Sequence, residues 1–234
     1  MKTTLKNAMG YASAAMLALS MGSLLYSATP AQPAKPAPGD VRPAEDPIDN
    51  KSADDVRSKL ATLVNDAASR NGFNDMLASI DKADRDRIVA EKYKQFDKLN
   101  ASVDQFRKDF HDKYNQDFSL KGAMLDGVTI LRGADKDHAR LLLSAMSAPN
   151  ADKAAKDLLG EVSLVKEMTI GNPWHVEIPA TLSAAQLADG LAGEFTALSA
   201  DKTNWPADAK SAHLRIAQQI LKVVTKPVTI TQNR

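Results

Sequence analysis

Six of the eleven prolines in this 234-residue chain fall between Pro30 and Pro47. Proline fixes its own φ, lacks a backbone donor and restricts the residue before it, so neither helix nor sheet can run through so dense a stretch. It takes extended polyproline II structure and acts as a stiff spacer. The chain is thereby divided into a short N-terminal segment (1–31), a proline-rich spacer (32–50) and a single domain (51–234) of roughly 185 residues, enough for a sizeable core.

The segment before the spacer has the pattern of a bacterial-type signal peptide. Lys2 and Lys6 form a positive start, no charge occurs from Asn7 to Ala34, and the apolar stretch centres on Ala14 to Leu25. Ser27, Ala28 and Ala31 offer cleavage positions near 27–31. The same stretch, if retained, would tether the chain to the membrane, since about 20 residues span a bilayer. Export to the periplasm or beyond is the expectation in both cases.

Composition closes off several classes of function. There is no cysteine, which excludes disulfide scaffolds, thiolate metal sites, a thiol nucleophile and lipidation of a cysteine. Without Lys2 and Lys6, 28 Lys and Arg stand against 29 Asp and Glu. A balance this close to neutral gives no general attraction to nucleic acid or anionic lipid.

The first half of the domain has helical periodicity. Ser52 with Asp55 reads as a capping box, and Val56, Leu60, Leu63, Val64 and Ala67 recur at helical spacing, predicting a helix over 53–69 that ends at Asn71-Gly72. Phe73, Leu77 and Ile80 suggest a short second helix. Asp81 then caps a much longer one, whose stripe of Val89, Tyr93, Phe96, Leu99, Val103, Phe106 and Phe110 is spaced by threes and fours. An aromatic stripe at this spacing is far more often core than ligand groove. Tyr93, Phe96, Phe106 and Phe110 nonetheless stand as candidate pocket or interaction residues, and the stripe would also serve a homo-oligomer.

After Phe118 the pattern changes. Val128 to Leu131 reads as a short strand, 139–147 fits strand or helix, and Val162, Leu164 and Lys166 alternate. A turn at Gly171-Asn172-Pro173 leads to Trp174, Val176 and Ile178, alternating with His175 and Glu177 before Pro179. Two helices follow. Ser183 caps the first, with Leu187, Leu191, Phe195 and Leu198 on one face and Gly190 and Gly193 permitting close backbone contact. The second, after Pro206, carries Ala212, Ile216, Ile220 and Val223. Pro227 ends it, and Val228 to Ile230 could add an edge strand. The fold class expected is α+β, with long N-terminal helices on a small antiparallel sheet and further helices at the C-terminus.

The hairpin VSLVKEMTIGNPWHVEIP, residues 162–179, resembles a segment of secreted members of the NTF2-like superfamily. That resemblance implies a curved antiparallel sheet folded against a long N-terminal helix, with a pocket between them. Here the helical part is longer, and helices follow the hairpin where such folds finish with strands.

Chemistry-bearing patterns are sparse. His111, His138, His175 and His213 are far apart in sequence and lack metal-ligand spacing. Asp81, Asp84 and Asp86 lack the glycine and closing glutamate of a calcium loop, so helix capping accounts for them better. No nucleotide-binding or nucleophile-elbow motif occurs, and no cofactor is expected. Strand alternation puts His175 and Glu177 on one face, suited to acid/base work if that face lines a pocket and to solvent if it does not. The reading that follows is an exported, non-enzymatic envelope protein binding an unidentified protein or small molecule, with Trp174, His175 and Glu177 as further candidate residues. A small NTF2-like enzyme and a helical oligomeric scaffold are the alternatives.

Overall fold

The computed structural model describes residues 46–147, 153 and 160–225. The signal segment, most of the spacer and the tail from Pro227 lie outside the described residues. Within them, α-helices and a four-stranded antiparallel sheet form the expected α+β arrangement.

Helix α1 (Asn50–Ala67) begins one turn before the Ser52–Asp55 box. The chain leaves the sheet at Ile48, whose amide donates to the Ile130 carbonyl, and the next residue, Asp49, is the first able to cap. Its carboxylate accepts the Ser52 amide at 3.0 Å, which satisfies one of the orphan donors of the first turn. Val56, Leu60, Leu63, Val64 and Ala67 are buried, as their spacing requires. Asn71, at φ 61°, turns the chain into α2 (Phe73–Leu77).

The single long helix expected from Asp81 onward is two helices, α3 (Lys82–Ala90) and α4 (Asp97–Tyr114), separated at Lys92 by a left-handed φ of 52°. Contacts on both sides of the break explain it. Arg87 donates to the Leu182 and Pro179 carbonyls at 2.6 and 3.3 Å, and the Glu91 carboxylate accepts the Ala184 amide at 2.8 Å, fixing α3 to the segment after the sheet. Beyond the break, Phe96 packs on Phe73 with ring centroids 4.7 Å apart, and Tyr93 meets Phe96 edge-on. A straight helix from Val89 to Phe110 would run about 32 Å at 1.5 Å per residue and could not bring these rings back to α2.

The sheet is an antiparallel meander of β1 (Leu131–Arg132), β2 (His138–Leu142), β3 (Glu161–Lys166) and β4 (Trp174–Glu177) in sequential order. The strand expected at 128–131 is thus shorter and later, because Val128 to Ile130 leave a 3-10 turn (Gly122–Leu125) without pairing as a strand. Residues 139–147 resolve as β2 followed by a 3-10 turn (Leu143–Met146). Leu164 stands opposite Ala139 and Val176, and Val162 opposite Leu141, which puts the alternating apolar residues on one buried face. Both sheet edges are covered. Residues 46–48 bond to the outside of β1, through the Ile48 amide and from the Arg132 amide to the Asp46 carbonyl, while Ser79 and Asp81 bond to the outer edge of β4 at Val176.

Helix α5 (Ala184–Ala200) starts with Ser183 and Gln186 capping each other, and α6 (Ala209–Lys222) is capped by Asp208. Gly190 does sit at a close approach, since a Cβ there would lie 2.9 Å from Val223; Gly193 faces open space, so only the first of the two glycines serves helix packing. Helix α4 lies along α5, and Phe106 touches Phe195 across them at 5.2 Å. Phe106 also meets Phe118 and Trp205 at 5.4 and 5.9 Å, building an aromatic centre for the core.

Candidate functional site

The β3–β4 hairpin is where unused chemistry and unused apolar surface come together. Its seven-residue connection, Glu167 to Pro173, is closed at the base by the Glu167 amide donating to the Pro173 carbonyl at 2.9 Å. The Thr169 and Asn172 amides bond back to the Glu167 and Thr169 carbonyls. The turn needs left-handed backbone at two successive residues, and Gly171 (φ 90°) and Asn172 (φ 43°) are types that tolerate it. This brace holds Met168 and Ile170 out in solvent, 87% and 104% exposed. Val89 is the other exposed large hydrophobic among the described residues.

Trp174, at the start of β4, is buried beneath the Lys166 ammonium, which lies 4.8 Å from the ring centroid. That contact is a cation–π pair within the hairpin. Two depressions flank the indole. One of about 280 Å³ lies between α1 and the turn, lined by Lys59, Thr62, Gly171 and Asn172 among others; one of about 130 Å³ lies beside Ile48, Ser52 and Arg132. On the apolar side of the sheet, Leu141, Val162, Leu164 and Val176 are fully buried.

His175 and Glu177 do share a face, opposite Val165 and Ser163 of β3. His175 does not face water. It is buried, 7% exposed, and a carboxylate neighbour is Glu167, with Nε2 and Oε2 3.0 Å apart but out of line for a hydrogen bond. Burial pushes the His175 pKa below its ordinary value. Lys59 and Arg85 add to that, and Glu167 and the Ile80 carbonyl oppose it. Segment 79–81 is bonded along the edge of β4 beside His175.

The aromatic candidates lie elsewhere. Phe106 and Phe110 have no exposed surface, and Tyr93 and Phe96 are half-buried against the same core. On the Phe106 and Phe110 side of the stripe, α5 and Trp205 supply the packing partners. The remaining histidines have local partners. His111 pairs with Asp117 at 3.4 Å and His138 with Asp135 at 2.7 Å. His213 lies inside the aromatic core, its Nδ1 donating to the Ala209 carbonyl and its Nε2 accepting the Ser119 amide. Among the described residues no group of three or more His, Asp or Glu side chains is placed to hold a metal ion, and no helix is long and apolar enough to cross a membrane.

Met168, Ile170 and Glu167 were not singled out by sequence reasoning. A signal for the first two was present: large apolar residues immediately before Gly171-Asn172-Pro173 fall in the turn rather than in either strand, where no core is at hand. Nothing in the spacing marks Glu167 as the partner of His175, because that contact depends on how the seven-residue connection curls.

No protein-family model matches the chain, and neither the curated proteins nor the solved structures yield a match.

Proposed function

We propose that the chain is an exported, non-enzymatic cell-envelope protein that binds its partner through the end of the β3–β4 hairpin. The observation that carries this reading is the exposure of Met168 and Ile170 on a braced turn. Large apolar side chains held rigidly in water gain nothing for the fold, whereas a preformed apolar tip gains free energy on contact and loses little conformational freedom in doing so. Trp174 and Lys166 at the base of the same hairpin stiffen it. The enzymatic alternative rests on His175 with Glu177; the burial of His175 beside Glu167 supports the binding reading over it.

The test is a photo-crosslinking amino acid placed at Met168 or Ile170 in the full chain, expressed in cells that export it, with Asp126 as a control site. Adducts to an envelope protein or lipid from the two hairpin positions, absent from the control, are the expected result. A hairpin as silent as Asp126 would remove the reading.

A further inference from the structure

The end of the β3–β4 hairpin holds an oxidisable sulfur in water. Met168 is 87% exposed, whereas Met76 and Met146 are 0% and 1% exposed and Met124 is partly buried against the core. A thioether reacts where a reagent can reach its sulfur, so among the described residues Met168 is the methionine most open to attack. The chain has no cysteine, and no thiol competes for a two-electron oxidant. The turn that carries Met168 does not depend on its side chain. The brace consists of backbone bonds, from the Glu167 amide to the Pro173 carbonyl, from Thr169 to Glu167 and from Asn172 to Thr169, and the left-handed backbone falls at Gly171 and Asn172. A change at the sulfur therefore alters what the tip presents and leaves the tip in place.

We infer that Met168 is a redox modification site, at which hydrogen peroxide converts the thioether to the sulfoxide and switches off the hairpin end as an apolar contact. The inference rests on the hairpin end being the binding surface, as proposed above. In the step the sulfur attacks one peroxide oxygen: an S–O bond forms, the O–O bond breaks, and the second oxygen leaves with both protons as water. The sulfur gives up two electrons and the peroxide takes them. The product is polar and chiral where the thioether was apolar. Burying it against an apolar partner carries a desolvation cost that the thioether does not. Ile170 is then the one large apolar side chain left at the tip. The change is reversible, because methionine sulfoxide reductases return each of the two sulfoxide epimers to the thioether.

The test uses the purified full chain with the photo-crosslinking amino acid at position 170, treated with dilute hydrogen peroxide, freed of it and illuminated with untreated cell envelopes. Peptide mass mapping is expected to show sulfoxide at Met168 forming several-fold faster than at Met76 and Met146, with the circular dichroism spectrum unchanged. The yield of envelope adducts should then fall several-fold and recover after treatment with methionine sulfoxide reductases of both epimer specificities. In a Met168→Leu chain, which keeps an apolar side chain and has no sulfur there, the same peroxide should leave the yield at its untreated level. The switch is overturned by equal oxidation rates at the three methionines, by an unchanged adduct yield, or by a loss accompanied by a changed spectrum. A loss that Met168→Leu does not prevent, or that the reductases do not reverse, overturns it as well. An untreated chain that gives no adducts would remove the binding surface and the switch with it, while the mapped rates still decide whether Met168 is the modified residue.

Discussion

Phe106 shows how much of the core depends on one side chain. It touches Phe110, Phe118, Phe195 and Trp205 and so joins α4, α5 and the segments that follow them. Phe106→Ala leaves a cavity that four rigid rings cannot collapse into, and it should cost about 3–5 kcal/mol in urea unfolding. His213 sits in the same aromatic nest, 5.0 Å from Phe118 and stacked on it, with both nitrogens committed to the backbone. It was legible as a histidine without metal-ligand spacing. Its burial was not, because the ring reaches the core only when α6 folds back onto the segment around Ser119. Asp109 is buried in the same region. Burial pushes its carboxyl up, but hydrogen bonds led by those from Lys202 and Gln105 outweigh that and leave it below the ordinary value.

The elements whose ends carry chemical punctuation were the readable ones. Ser183 capped by reciprocal bonds with Gln186 is the clearest case, and Ser183→Ala should lower stability by about 1 kcal/mol in thermal or urea unfolding, with Ser183→Gly recovering most of it. The α3–α4 break was illegible for an equally local reason. Tyr93 and Phe96 continue the three-and-four spacing, so periodicity runs straight through a left-handed Lys92 that only the long-range bonds of Arg87 and Glu91 impose. The hairpin was read correctly for Trp174, Val176 and Ile178, all buried. The histidine between them was expected in water or in a pocket, and the paired edge at 79–81 covers it instead.

For the molecule as a whole, these buried groups set the response to pH. His175 and His213 both have pKa values lowered on folding, chiefly by burial. The unfolded chain then holds more protons between those lowered values and the ordinary histidine value near 6.5. Their contribution is complete above about pH 6.5 and is lost as the pH falls through that window. Asp109 adds a second loss at more acid pH, below its ordinary 3.8. Urea midpoints are expected to be flat from pH 8 to 7 and to decline from about 6.5 downward; His175→Gln should shallow the first part of that decline, and an unchanged slope would show that His175 has no share in it.

The clip of residues 46–48 on β1 is a slight cover for the edge it protects. It is held by two backbone hydrogen bonds, one from the Ile48 amide to the Ile130 carbonyl and one from the Arg132 amide to the Asp46 carbonyl. Opening of this short ribbon is expected to bare the side of β1 while the four-stranded meander stays folded, since the pairings of the meander do not involve it.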